Sequence, residues 1–131
     1  MKVAKIGYCE KCGDYGVIEL HHIVHKSKSI ILKDCNINHI YLCGSCHRDN
    51  KYGVHGNSKE DKKLKWRLQL ELQELFKDEY VTLEEVKEKL NIKDKDIYNL
   101  YRSLYMEGDK VNTEELIRVL MGGKLIVGQA V

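Results

Sequence analysis

The chain has 131 residues, of which 43% are hydrophobic and 32% charged, and its formal net charge is +2. This balance is typical of a soluble globular protein and excludes a disordered chain. No apolar run is long enough to span a bilayer, and the first residues, MKVAKIGYCEKC, contain no apolar signal core. We therefore expect a cytoplasmic protein without a membrane partner, whose thiols stay reduced.

Residues with metal-binding side chains are confined to one half of the chain. All five cysteines and all six histidines lie between Cys9 and His55, whereas the rest of the sequence is rich in helix-forming residues. We therefore predict two regions. Residues 1–57 would form a chemical module, and residues 58–131 a helical accessory region.

Two C-x-x-C pairs predict a structural zinc site. Cys9 and Cys12 form the first pair, and Cys43 and Cys46 form the second. Two intervening residues let both sulfurs of a pair face one ion, and two pairs supply the four thiolates of a closed tetrahedral zinc site. The alternatives are disulfides or a redox-active pair, and a reducing compartment argues against both. We expect the remaining Cys35 to be a small, partly buried residue.

The segment between the two pairs predicts a strand, a loop, a second strand and a short helix. The first strand, GVIELHHIV, is rich in β-branched residues. Adjacent side chains on a strand point to opposite faces, so His21 and His22 cannot serve one site equally. The predicted bounds, in the same order, are residues 16–24, 26–36, 38–43 and 45–51.

These residues resemble the HNH endonucleases, which have the ββα-metal fold, in their four-cysteine zinc version. The resemblance covers roughly residues 5–56 and implies an α+β fold class, with the HNH core preceding a helical region. The motifs that carry it are C-x-x-C at Cys9, L-H-H-I-V from Leu20, Asn38 ahead of the second pair, and L-C-x-x-C-H ending at His47.

The resemblance also implies a role for each motif residue. His22 would be the general base that activates water, and Asn38 would fix the orientation of its ring. His21 and His47 would bind a catalytic divalent ion. We expect Mg²⁺ or Mn²⁺ in this second site, with Ni²⁺, Co²⁺ or Zn²⁺ as further candidates because the donors are imidazoles.

The chemistry of phosphodiester hydrolysis calls for the same residue types. A neutral imidazole near pH 7 removes a proton from water efficiently. A divalent ion beside the phosphate stabilises the charge that gathers in the transition state. Strand alternation would send one imidazole of the His21–His22 pair to each of these two tasks.

The sequence departs from the family pattern in two ways. A further histidine often follows the C-H element by one helical turn, and Lys51 occupies that position here. We therefore consider His55 as a third ligand of the catalytic ion, or as a phosphate contact. His25 stands where the family frequently has proline, and we expect it to be a solvated loop residue. We expect His39 to face away from the site.

Several basic residues are candidates for contact with nucleic acid. Arg48 and Lys51 follow the proposed ligand His47, and Lys62 and Lys63 lie in the first turns of the helix that comes next. Basic side chains beside a nuclease site can follow a phosphate backbone. The alternative interpretation is a solvated helix surface.

The C-terminal half predicts a long helix over residues 59–78 and a three-helix region over residues 82–122. Residues 83–101 look like a helix-turn-helix of the kind found in small phage and mobile-element regulators. Acidic residues in this segment disfavour close contact with phosphate, so a structural or dimerising module is the alternative. Such a module would allow a homodimer. Apolar residues at helical spacing form the stripe of the long helix: Leu64, Leu68, Leu72 and Leu75.

The sequence therefore predicts a metal-dependent HNH endonuclease that nicks DNA or cuts both strands. Two other functions stay open. The chain would be a zinc-stabilised, DNA-binding regulator without catalysis if the histidines have only structural roles. It would be an HNH nuclease acting on RNA if the binding surface prefers that substrate.

Overall fold

The computed structural model describes residues 4–25, 28–49, 51 and 53–126. Within these residues the fold is mixed α+β, with two three-stranded antiparallel sheets and five α-helices. The first sheet and the helix that follows it contain the predicted chemical module. Their bounds are β1 Ala4–Tyr8, β2 Tyr15–His22, β3 His39–Cys43 and α1 Gly44–Arg48.

Strand β2 lies at the centre of the first sheet, between β1 and β3. His21 pairs with Ile40 across β2 and β3, and His22 pairs with His39. Helix α1 packs against both strands. The register therefore places His21 on the sheet face that carries buried Ile40 and Leu42, and His22 on the opposite face with His39.

The second half begins with the long helix and continues as alternating short helices and strands. The bounds are α2 Ser58–Leu75, β4 Tyr80–Thr82, α3 Leu83–Leu90, α4 Asp94–Tyr101, β5 Met106–Glu107, β6 Lys110–Asn112 and α5 Thr113–Leu120. Side-chain oxygens of Asn57, Thr82 and Asn112 accept hydrogen bonds from the first turns of α2, α3 and α5. These caps explain where the three helices begin.

The prediction of an all-helical C-terminal region is wrong at β4, β5 and β6, which form the second sheet in the order β4-β6-β5. These strands have two or three residues each, too few to show a period of two in the sequence. The one local sequence feature that indicates this sheet is Gly108–Asp109. These two residues form the turn that joins β5 to β6, with Gly108 at φ +68°.

Several predicted bounds also differ from the structure. The helix predicted over residues 59–78 ends at Leu75, where Phe76 leaves the helical conformation and buries its ring. Helix α1 ends at Arg48 and not at residue 51. Helices α3 and α4 do follow one another through a short turn, with Asn91 in the left-handed region at φ 54°.

The two halves of the chain share one hydrophobic core. Leu32 and Cys35, from the loop between β2 and β3, belong to the same buried cluster as Leu68 and Leu72 of α2 and Leu90 of α3. Cys35 is 4% exposed and is therefore more fully buried than the partly buried residue that was predicted. A boundary at residue 57 would therefore not separate two independent cores.

The segment after α5 returns to α2 and is fixed there by a side-chain amide. Gln69 is 3% exposed, its Nε2 donates to the carbonyl of Ile126 at 3.1 Å, and its Oε1 accepts from the amide of Ile126 at 2.8 Å. A buried amide that uses both its donor and its acceptor fixes the backbone it contacts. Residues 121–126 therefore lie along one face of α2.

We expect Leu32→Ala to destabilise the whole chain and not only the loop that carries Leu32. The side chain is fully buried in the shared core, and a leucine-to-alanine change at such a site costs about 2–5 kcal/mol. Urea unfolding followed by circular dichroism at 222 nm and by Trp66 fluorescence measures the effect. Two separated transitions in the variant, with the Trp66 transition unshifted, would contradict a shared core.

Candidate metal and catalytic site

Four cysteine sulfurs converge at one end of the first sheet. The ligand atoms of Cys9, Cys12, Cys43 and Cys46 all lie within 4.8 Å of one another. Cys12 Sγ and Cys43 Sγ, one from each pair, are 3.8 Å apart. A tetrahedral ion with metal–sulfur bonds of about 2.3 Å separates neighbouring sulfurs by about 3.8 Å. The predicted grouping of these cysteines is confirmed, and it can hold a structural metal ion such as zinc.

Backbone amides turn each pair of sulfurs toward the same point. The amides of Lys11 and Cys12 donate to Cys9 Sγ at 3.4 and 3.5 Å. The amide of Cys46 donates to Cys43 Sγ at 3.5 Å. Burial acts to raise the pKa of Cys9, but these donors lower it to about 6, whereas burial and the neighbouring sulfurs raise the pKa of Cys46. Because four adjacent thiolates repel one another, all four cysteines are expected to be deprotonated together only when a cation binds between them.

Three histidines form a second cluster on the face of the sheet that α1 covers. We call His21, His47 and His55 the histidine triad, and one ring nitrogen of each lies within 4.8 Å of those of the other two. The Nε2 atoms of His47 and His55 are 2.9 Å apart. His21 packs its ring edge-on against both, with centroids 5.1 and 5.0 Å away. These three residues could hold one metal ion.

The loop after α1 folds back along the helix and so brings His55 to His47. The amide of Val54 donates to the carbonyl of Cys46 at 2.9 Å, and the amide of His55 donates to the carbonyl of His47 at 3.1 Å. A Cβ on Gly53 would lie 2.8 Å from the carbonyl oxygen of Ser45. Only glycine fits this close approach of the loop to the helix.

A buried carboxylate orients the central ligand of the triad. Glu19 lies two residues before His21 on the same strand face, is 8% exposed, and accepts from His47 Nδ1 at 2.8 Å. With Nδ1 as the donor, His47 Nε2 has a lone pair, which here accepts a hydrogen bond from His55 Nε2 and could instead bind a metal ion. The second carboxylate oxygen is 3.2 Å from Arg48 Nη2. Glu19 thus positions both His47 and Arg48.

The buried ring of His21 carries a polar atom that the fold leaves unsatisfied. His21 is 3% exposed, and its Nε2 finds no hydrogen-bond partner among the residues that the structure describes. Burial, together with the charge that neighbouring imidazoles would carry, lowers the pKa of His21 to about 3. Burial and His47 also lower the pKa of His55. Both rings are therefore neutral at pH 7, as metal ligands must be.

His22 lies on the other face of β2, away from the triad side. Its Nε2 is 3.0 Å from the carbonyl oxygen of Lys33, which also accepts from His39 Nε2 at 2.8 Å. The His22 and His39 rings meet edge to face at 4.9 Å. Because a carbonyl only accepts, His22 carries its proton on Nε2, and Nδ1 keeps a lone pair. Burial and His39 lower the pKa of His22, so the ring stays neutral at pH 7.

The side chain of Asn38 is fully buried and contacts backbone atoms on either side of the loop. Its Oδ1 accepts from the amide of Val24 at 2.8 Å, and its Nδ2 donates to the carbonyls of Val24 and Leu32 at 3.0 and 3.2 Å. Asn38 thus fixes the chain that leaves β2 immediately after His22. Its effect on the His22 ring is through this backbone and not through a direct hydrogen bond.

The candidate nucleic-acid contacts are distributed over different surfaces. Arg48 is half exposed beside the triad, and Lys51 is exposed in the loop after α1. Lys62 lines a cavity that also contains His25, whereas its neighbour Lys63 lines another cavity and lies 3.9 Å from Glu60. The structure therefore brings Lys62, but not Lys63, to the side of His25.

Sequence reasoning missed two residues of this site. Glu19 lies within a predicted strand and was not considered as a site residue. Its position two residues before the proposed ligand His21, on the same strand face, could have indicated a carboxylate beside the ligands. His25 was predicted to be a solvated loop residue. It is exposed, but its ring stacks near that of His55 and meets that of His21, with both centroid distances 6.0 Å. His39 was expected to face away, and it shares the Lys33 carbonyl with His22.

No protein-family model, curated protein or solved structure matches the chain. The described residues contain no helix with the length and hydropathy needed to cross a membrane. The functional evidence within the described residues is the four-cysteine cluster and the histidine triad, which lie on the same sheet and helix.

We expect the four-cysteine cluster to bind one zinc ion per chain tightly, because its sulfurs match a closed tetrahedral site. Metal analysis after extensive dialysis should find this zinc in the wild type and in His21→Ala, and should find it lost in Cys46→Ser. Since a structural zinc contributes folding free energy, Cys46→Ser should also lower the melting temperature. Equal zinc content in Cys46→Ser and the wild type would contradict the assignment.

We expect Glu19→Gln to weaken metal binding at the histidine triad by about 10–100-fold, the usual effect of losing a carboxylate that orients a histidine ligand. Isothermal titration calorimetry, with Co²⁺ or Ni²⁺ added to the zinc-loaded protein, measures the affinity of the histidine triad for the ion. Glu10→Gln is a control, because Glu10 accepts from the amide of Tyr41 at the far side of the sheet. An unchanged affinity in Glu19→Gln would show that Glu19 does not orient His47.

Proposed function

We propose that the chain is a metal-dependent endonuclease of the HNH type, with β2, β3 and α1 as its ββα-metal core. The observation that supports this most is the histidine triad. Three imidazoles meet on the face of a strand pair covered by a helix, one of them oriented by a buried carboxylate. A zinc ribbon without catalysis has no need of this second ligand set beside its four cysteines.

His21, His47 and His55 would hold the divalent ion. When bound, such an ion neutralises charge on the phosphate and stabilises the leaving oxygen. Imidazole donors suit transition metals, whereas Mg²⁺ prefers oxygen ligands. We therefore place Mn²⁺, Co²⁺, Ni²⁺ and Zn²⁺ ahead of Mg²⁺ as ions for this site.

His22 is our candidate for the general base. Its Nε2–H donates to the Lys33 carbonyl, so the proton of the attacking water would pass to the free lone pair on Nδ1. The carbonyl holds the ring in this tautomer, and the lowered pKa keeps the ring unprotonated at neutral pH. Asn38 supports the arrangement by fixing the backbone after β2.

His25 is the second imidazole that can take this proton. It is the one whose ring lies against the triad, whereas the ring of His22 contacts His39. Arg48, held by Glu19 with its guanidinium half exposed, would contact the phosphate that is cut. We propose DNA as the substrate, with RNA as the alternative that a direct comparison of substrates separates.

We expect the purified chain to nick supercoiled plasmid DNA when Mn²⁺, Co²⁺ or Ni²⁺ is added, and His47→Ala to lose this activity. A gel assay of supercoiled, nicked and linear forms measures the rates, with single-stranded RNA as the competing substrate. Absence of cleavage by the wild type with every ion tested, while the protein still binds DNA, would favour the regulator without catalysis.

We expect His22→Ala to reduce the cleavage rate by about 10²–10⁴-fold, the range for loss of a general base. His39→Ala is the matched control, because His39 donates to the same carbonyl of Lys33 and leaves the His22 lone pair in place. His25→Ala is assayed in parallel. A large loss in His25→Ala with little change in His22→Ala would assign the base to His25.

A further inference from the structure

A cavity of about 310 Å³ lies beside the histidine triad, and three segments of the chain enclose it. The first is the stretch after β2, at Val24, His25 and Lys28. The second is the basic first part of α2. The third is the stretch 121–126 that follows α5. The C-terminal half of the chain therefore supplies a wall of a site that begins in the first half.

The charge of the lining selects an anion. Four lysines line the cavity together with a single aspartate, Asp61, and that aspartate is already paired with Lys65 at 2.9 Å. The lysines come from all three segments, so the positive charge surrounds the cavity and is not confined to one helix face. They are Lys28, Lys62, Lys65 and Lys124.

Apart from Ser58 and His25, the remaining lining is apolar, which a site for phosphate alone would not need. Val24 and Met121 are almost fully buried, and Leu125 and Ile126 complete this part of the lining. Apolar side chains can pack against the flat face of a base, while lysines contact the phosphate attached to it. The volume lies at the small end of ligand pockets, which hold about 300–1,000 Å³.

The position of the cavity connects it with the proposed cleavage site. His25 lines it, and the His25 ring also lies 6.0 Å from the rings of His21 and His55. An occupant of the cavity would therefore be the immediate neighbour of a phosphate at the triad.

The wall from the C-terminal half is held in place before any ligand binds. The two hydrogen bonds of Gln69 fix Ile126 to α2. Gly122, at φ +89°, lies so close to Lys28 that an added Cβ would be 2.9 Å from the Lys28 Cβ. Since both contacts are within the protein itself, the cavity is preformed.

We infer that this cavity binds one nucleotide of the substrate strand, next to the scissile phosphate, with the base on the apolar lining and the phosphate among the lysines. The inference rests on the proposed nuclease function for the position of that nucleotide. It assigns residues 121–126 and the start of α2 to substrate binding.

Binding is tested separately from cleavage, in a full-length His47→Ala background that does not cut. Fluorescence anisotropy with a labelled oligonucleotide compares Lys62→Ala/Lys124→Ala with the matched pair Lys77→Ala/Lys110→Ala. Lys77 follows the other end of α2, lies 3.2 Å from Glu74 and lines a different cavity. We expect the first pair to weaken binding by roughly tenfold and to reduce the salt slope by about two, and the control pair to change neither.

A photocrosslink locates the base. An oligonucleotide with 5-iodouracil next to the cleaved bond should attach to a peptide that contains Val24 or residues 121–126. Equal affinities for the two lysine pairs, or attachment only elsewhere, would overturn the inference.

Two further outcomes separate this inference from the proposed function. Loss of oligonucleotide affinity in Lys62→Ala/Lys124→Ala, together with a wild type that cuts nothing, would refute the nuclease and keep the nucleotide cavity. The opposite outcome is a wild type that cuts DNA while Lys62→Ala/Lys124→Ala loses affinity only for an acidic peptide such as polyglutamate. This result would overturn the cavity assignment and keep the nuclease.

Discussion

The convergence of four cysteine sulfurs is the constraint on which the rest of the structure depends. It joins the turn between β1 and β2 to the start of α1, at opposite ends of a segment of about thirty residues. Cys43 ends β3 and also caps α1, so the same residue fixes the sheet and the first turn of the helix. His47 follows Cys46 directly. The cluster therefore sets where α1 lies over the sheet, and with it where the histidine triad forms.

Strand alternation divides the histidines of β2 between two faces of the sheet. His21 meets buried His47 and exposed His55 on one face, while His22 and His39 share one carbonyl on the opposite face. On the first face, the buried Nε2 of His21 has no hydrogen-bond partner among the described residues. On the second face, a backbone oxygen selects the tautomer of His22. The adjacent histidines His21 and His22 are therefore each explained by the contacts on their own face of the sheet.

The sequence predicted the parts of the fold and site that depend on spacing along the chain. The C-x-x-C pairs and the stripe of leucines in α2 are local patterns, and local geometry decides them. The second sheet could not be predicted in this way, because strands of two or three residues show no periodic pattern in the sequence. The contacts of Asn38 could not be predicted either, because they are made with backbone atoms that only the folded chain brings together. Glu19 and His25 were missed for a related reason, since tertiary folding brings them to the triad.

Gln69 recognises main-chain atoms of Ile126, and its amide would accept almost any residue at that position. Only proline, which lacks the amide hydrogen, would break the pairing. The side chain at position 126 can therefore change during evolution while the wall of the cavity keeps its place. Under the proposed nucleotide binding, variation there would alter the surface offered to the base while the hydrogen bonds of Gln69 keep the scaffold in place.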